Sequence, residues 1–288
     1  MSLRKIEKSD YSRFIERAKR CTANKVYPMS ISEGYQEGDI FIDSEADANV
    51  LVDKHTETLA KEDFVMFWHY CGFVYFYGRP SAELLEEIYE YYLLRESERR
   101  FVIITDDETV KNFFSIKNDI VIDKRFEYAY DVPIHAVGIE TSEAKKDKDS
   151  ESQNDNELDD KFGISIERIS EKNIGRIHGR IIPSFSWDIS SAFLEKGLGY
   201  VATDGEKIAA VAFSSAVSSD EVDIGVETDP DYRRRGLSAR LTVEMCEEII
   251  SMGKKPVWAH AAANVASGKT AERAGFIKTK ENYVIRIG

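Results

Sequence analysis

The chain has 288 residues, long for one domain and ample for two of ordinary size. With 42% hydrophobic and 11% aromatic residues it has the composition of a globular protein, which excludes collagen-like and low-complexity classes. A net charge of −13 argues against a nucleic-acid partner, which ordinarily meets a basic stripe; it suits cationic small molecules or basic peptides drawn by a negative field, or serves only to keep the chain soluble.

From the N-terminus, MSLRKIEKSDYSRF has no apolar stretch of the kind that begins a secretory signal, and no run approaches the ~20 apolar residues of a membrane span. A cytoplasmic protein with no membrane partner is therefore expected. Cys21, Cys71 and Cys246 are far apart and odd in number, so neither a disulfide framework nor a metal site is predicted. Cys246 falls among apolar residues at helical spacing and is expected to be a packed thiol. Gly38–Asp43 and Asn49–Asp53 read as short strands. Phe64–Gly78 predicts a hairpin, whose Phe67, Trp68, Tyr70, Phe73, Tyr75 and Tyr77 either wall a pocket or pack together. Ser81–Glu96 carries an apolar stripe at Leu84, Leu85, Ile88 and Tyr92 and opens with Ser81 after Pro80, a helix start. Arg100–Asp106 reads as a buried strand. Residues 1–140 thus form an α/β domain in which no motif carries chemistry. Thr141–Lys161 holds only Ala144 and Leu158 as apolar residues, too few to fold alone, and is expected to be an acidic linker or loop.

Residues 162–288 read as a second domain. Ile164–Ile169 alternates as a strand, and Ser170–Ile182 and Ser186–Gly197 resemble two short helices. Gly199–Ser215 predicts a hairpin around Asp204-Gly205, followed by a strand over Glu221–Asp229. A helix from about Ser238 to Met252 places Leu241, Met245, Ile249 and Met252 on one face and stops at Gly253. Pro256–His260 is a strand, the next helix carries Gly268-Lys269-Thr270 and ends at Gly275, and Asn282–Ile287 closes the chain as a strand. Gly268-Lys269-Thr270 looks like the end of a phosphate-gripping P-loop, but the first glycine of that motif is here Ala263. A better anion site lies upstream. Val226–Leu241 runs strand, glycine turn, helix, with Arg233, Arg234, Arg235 and Gly236 in the turn. Such a turn exposes unsatisfied N–H groups at the positive end of a helix, and that arrangement binds phosphate.

Arg233-x-x-Gly236-x-Ser238, preceded by Thr228-Asp229-Pro230-Asp231-Tyr232, resembles motif A of the GNAT superfamily of N-acetyltransferases. Asn264-Val-Ala-Ser267 and Gly275-Phe276 resemble its second signature at the usual spacing. The resemblance is tight from Glu221 to Phe276, looser from Ile164 to Gly288, and faint before the linker, where the two-part build is similar to one bacterial subgroup. It implies an α/β (α+β) fold: a GNAT-like mixed, mostly antiparallel sheet flanked by helices, preceded by a second, smaller α/β domain. It implies acetyl transfer from acetyl-CoA, as co-substrate, to an amine of a small molecule or peptide by direct attack, without a metal, and leaves a homodimer open. By resemblance, Arg233 and the N–H groups of Arg234, Arg235, Gly236, Leu237, Ser238 and Ala239 hold the pyrophosphate. Glu227 and Thr228 bond the pantetheine arm and polarise the thioester carbonyl. Asn264 and Ser267 contact the cofactor from the other side. Glu227, chosen over Glu221 and Asp223, is the expected base. Two departures stand out: Ser238 replaces the usual Gly or Ala, and Ala271 stands where many members carry a tyrosine that protonates the leaving thiolate. Tyr283 is a substitute acid or a packed aromatic, His260 a second base, Trp258 core or pocket wall, and Lys269 a solvent-facing lysine. A non-catalytic acetyl-CoA sensor is the alternative.

Overall fold

The computed structural model describes residues 2–43, 64–94, 99–131 and 163–288. The strand expected at Asn49–Asp53 and the linker expected at Thr141–Lys161 lie outside the described residues. The chain forms two compact units: Met1–Phe126 with Ala261–Ala263 and Lys280–Gly288, and Glu127–His260 with Asn264–Thr279.

The first unit runs β1 (Leu3–Lys5), a 3-10 turn into α1 (Ile15–Lys19), α2 (Val26–Ser32), β2 (Gly38–Asp43), β3 (Val65–His69), β4 (Phe73–Tyr77), α3 (Ala82–Ile88), β5 (Val102–Thr105), α4 (Glu108–Ser115) and β6 (Ile120–Tyr130). Its strands lie in the order β1-β2-β3-β4-β5, followed by the end of β12 (Phe276–Ile287), where Tyr283 pairs with Thr105. Both faces of this sheet are covered, which is why β3 and β4 read as continuous apolar runs. On one face Met66 and Val74 pack with Leu84, Leu85 and Ile88 of α3 and Phe114 of α4. The alternate residues turn the other way: Tyr27 of α2 stacks on Tyr75 and meets His69 and Phe73 edge-on. The hairpin aromatics are thus mainly packing residues. Ser81 caps α3 by accepting from Leu84 N at 3.2 Å, and Asp107 caps α4 by accepting from Thr109 N at 2.6 Å.

The second unit runs β7 (Ile164–Arg168), two 3-10 turns, α5 (Ser190–Lys196), β8 (Gly199–Asp204), β9 (Lys207–Val217), β10 (Glu221–Thr228), α6 (Leu237–Ser251), β11 (Lys255–Ala261), α7 (Val265–Arg273) and the start of β12. Its strand order is β7-β8-β9-β10-β11, then the end of β6 and the start of β12. The fold class matches the expectation, a mixed and mostly antiparallel sheet with helices. The first of the two helices expected between Ser170 and Gly197 is corrected: only a 3-10 turn, Ile174–Arg176, forms there. Gly175 and Gly179 make a helix costly over that stretch, and Gly179 adopts φ +145°, far from helical values.

The two units share one plan. Each runs strand, helical turns, three strands, helix, strand, helix, strand, and each contains a parallel pair, β4 with β5 and β10 with β11. The units differ at the helix that follows the middle strand: α3 is capped by a side chain, and α6 is not.

Candidate functional site

Strands β10 and β11 are parallel and in register only at Glu221↔Lys255, Val222↔Pro256 and Asp223↔Val257. On its other side β10 pairs with β9 all along Val222–Thr228, with a register break between Asp223 and Ile224. A parallel pair that parts this early leaves backbone amide groups along one strand edge for an extended ligand.

Beyond Thr228, Asp229 caps a 3-10 turn by accepting from Asp231 N at 2.9 Å. That bond, with Lys207 beside it, holds the Asp229 carboxyl below the usual carboxylate range. Arg234 and Gly236 then adopt left-handed conformations, φ +64° and +80°. Gly236 is the N-cap of the 15-residue α6 and has no side chain with which to accept from the first turn. The first N–H groups of α6 are therefore left uncapped by the N-cap residue, at the positive end of the helix. A Cβ added at Gly236 would stand 4.0 Å from Arg273 Nη2 of α7, so a further cation borders the turn. Arg233, Arg234 and Arg235 are exposed. Arg233 Nε donates to Thr228 O at 3.3 Å, and Arg235 donates to Asp231 O at 3.1 Å while lying 4.8 Å over the Tyr232 ring. Leu237 and Ala239 are buried and anchor the helix start. The hydroxyls of Thr228 and Ser238 hydrogen-bond, so the serine that replaces Gly or Ala ties strand end to helix start.

Glu227 sits near the end of β10, half-buried, and accepts from the backbone N–H of Ile181 at 2.9 Å. Nothing in the sequence pairs these residues, which lie 46 positions apart. The structure therefore gathers Glu227, Thr228 and residues 233–239 at one end of β10. Asn264 and Ser267 occupy the start of α7: Asn264 caps the helix by accepting from Ser267 N at 3.3 Å, and Ser267 Oγ accepts from Trp258 Nε1 at 3.2 Å. Tyr283 belongs to the first unit, where its hydroxyl donates to Glu108 and its ring packs on the core of that unit. His260 is buried, stacked on Tyr128 at 5.3 Å with Nε2 3.2 Å from the tyrosine hydroxyl. Trp258 is buried, Lys269 is exposed, and Cys246 is buried with its thiol pushed well up by desolvation.

Gly268 has a packing role. A Cβ there would meet His260 Nε2 at 2.9 Å and the Tyr128 hydroxyl at 3.3 Å. Gly268→Ala is expected to destabilise the protein by about 1–3 kcal/mol, as overpacking does, a drop of several degrees in Tm. Thermal unfolding checks this, and magnesium-ATP is expected to protect neither protein.

Fold and site together define a class: a mixed α/β protein with a splayed parallel strand pair and an uncapped, arginine-flanked helix start. The GNAT acetyltransferase family model matches residues 22–285, and the chain belongs to that family. The match begins well inside the first unit, beyond the span over which the motifs are legible. The [ribosomal protein bS18]-alanine N-acetyltransferase of Escherichia coli K12 is 30% identical over 92 residues, 31% of this chain and 62% of that protein. The chain thus spans less than two thirds of that curated relative. Among solved structures, a GCN5-related N-acetyltransferase-like protein from Streptococcus suis superposes with a TM-score of 0.67 at 17% identity, covering 98% of this chain and all 100% of that one. A tandem GNAT protein from the clavulanic acid biosynthesis pathway gives 0.57 at 9% identity, covering 98% and 96%. These likenesses show a shared fold, and the tandem neighbour accords with the repeated plan of the two units.

Proposed function

We propose that the chain transfers an acetyl group from acetyl-CoA to the amine of a small molecule or peptide. The observation that carries this reading is the uncapped start of α6 at Gly236, beside the freed edge of β10. The coenzyme's pyrophosphate would take the N–H groups from Arg234 to Ala239, with the arginines supplying positive charge. Its pantetheine amides would pair along β10 as an added strand does. Glu227 accepts a proton from the amine, whose lone pair attacks the thioester carbonyl; the C–S bond then breaks and coenzyme A leaves as thiolate. Position 271 is an alanine, which carries no hydroxyl, and the thiolate leaves without one.

That same Ala271 favours a second reading, a module that binds acetyl-CoA without turning it over. Coenzyme A release with a panel of amines separates the two. The panel includes peptides beginning with alanine, because one relative is named for acetylating an alanine of a ribosomal protein. Turnover with any amine supports transfer; acetyl-CoA binding without turnover across the panel supports the sensor. Among the described residues no helix is long and apolar enough to cross a membrane, and no cluster of His, Cys, Asp or Glu could hold a metal.

A further inference from the structure

We propose that Gly179 and Ile181 are positioning residues for Glu227, forming a turn that clamps the carboxylate of the base. The proposal rests on the acetyl-transfer reading and adds the group that orients its base. Three observations converge on it. The Ile181 N–H donates to Glu227 Oε2 at 2.9 Å. Gly179 has φ +145°, a conformation that side-chain-bearing residues rarely adopt, and a Cβ there would stand 3.1 Å from Glu227 Cγ and 3.4 Å from Cδ. Gly225 lies two residues before Glu227, so both face the same side of β10. A Cβ at Gly225 would meet the Phe213 ring at 2.8 Å and Ile181 Cγ2 at 3.5 Å. Glycines on the turn and on the strand thus let the backbone of residues 179–181 come down onto the carboxylate.

The consequence is chemical. A glutamate near a strand end has three side-chain torsions to fix before it can take a proton from an amine. Holding Oε2 on a backbone donor fixes them and leaves Oε1 for the amine. Small displacements of a base lower the rate steeply because reaction needs a narrow range of approach. The turn belongs to the segment between β7 and α5.

The test is a double-mutant cycle on the full chain, scored by turnover of acetyl-CoA with the best amine of the panel. Glu227→Gln is expected to lower kcat about 100-fold by removing the base. Gly179→Ala is expected to lower kcat about tenfold, with the KM for the amine and the Kd for acetyl-CoA unchanged. In the Glu227→Gln background, Gly179→Ala is expected to cost nothing more, because it acts through that carboxylate. A second measurement avoids any change at residue 179: amide hydrogen exchange at Ile181 is expected to quicken at least about tenfold in Glu227→Ala. Equal losses on both backgrounds, or an Ile181 amide that exchanges no faster, overturn the clamp while leaving acetyl transfer in place. Wild-type turnover by Glu227→Gln removes the base assignment and the clamp with it. Binding of acetyl-CoA with no turnover of any amine removes the transfer reading, and the positioning role falls too.

Discussion

Gly236→Val combined with Arg234→Glu is expected to weaken binding of coenzyme A by about 100-fold, roughly 2.7 kcal/mol. The argument begins with the backbone. Gly236 adopts φ +80° at the N-cap of α6, and a β-branched residue tolerates that conformation poorly. Its side chain would also project toward Arg273, beside the start of α6. To avoid the strain the turn must open, and the N–H groups then no longer converge on a single anion. Charge-assisted hydrogen bonds are each worth about 1.5–3 kcal/mol, so losing one or two accounts for the expected weakening. Arg234→Glu adds repulsion where the diphosphate would lie. Isothermal titration calorimetry gives the affinity directly. A thermal shift gives it independently, since ligand binding raises stability by RT ln(1 + [L]/Kd). Inorganic pyrophosphate is expected to compete in the wild type. Should the double variant bind coenzyme A as the wild type does, the assignment of the α6 start as the diphosphate site is wrong, and the acetyl-transfer reading loses its carrying observation.

The glycine turn into α6 was legible in the sequence because it is local. Strand end, turn and helix start fall within Val226–Leu241, and the residue types alone state that the helix begins at a glycine with arginines around it. Likewise β2 could be read at Gly38–Asp43 from the apolar run Ile40-Phe41-Ile42, and α6 could be ended at Gly253, which adopts φ +74°. The partner of Glu227 was not legible, because the donor is a main-chain N–H, which every residue but proline carries. The signal in the sequence is the pair of glycines at 175 and 179, which disfavour the helix expected over Ser170–Ile182. Helix α2 escaped notice for a related reason: all seven of its residues, Val26–Ser32, are buried, so it has no polar face to reveal its period. The repeated plan was hidden at the point where the motif is diagnostic. The first unit enters α3 through Gly78-Arg79-Pro80-Ser81, and Ser81 spends its hydroxyl on capping the helix, so no second motif appears.

Acidification below pH 6.5 is expected to destabilise the first unit through His69, and His69→Phe is expected to remove most of that dependence. His69 is fully buried. Its Nδ1 accepts from Cys71 N at 3.2 Å and lies 3.2 Å from Cys71 Sγ. With Nδ1 accepting, the ring proton sits on Nε2, and that atom is buried without a hydrogen-bond partner among the described residues. The ring meets Tyr27 edge-on at 5.0 Å, so the site is apolar and shaped for a neutral imidazole. Burial, and secondarily the positive charge of Arg99, lowers the His69 pKa to about 3 from an ordinary 6.5. Above pH 6.5 neither folded nor unfolded chain protonates this ring, and it contributes no slope. Between 6.5 and 3 the unfolded chain takes up a proton that the folded chain refuses. Stability therefore falls as pH falls, by up to about 1.4 kcal/mol per pH unit. From pH 6.5 to pH 5 the loss attributable to His69 is about 2 kcal/mol by that slope. Urea unfolding at pH 7.5, 6.5, 5.5 and 5.0 measures it, with the difference in slope between wild type and His69→Phe as the quantity of interest. Phenylalanine keeps the ring against Tyr27 but gives up the acceptor for Cys71 N, so the variant is expected to be less stable at pH 7.5 and to converge on the wild type as pH drops. Parallel pH profiles for the two proteins would show that His69 protonates in the folded state after all, through an opening of the α2–β3 packing that admits water to Nε2.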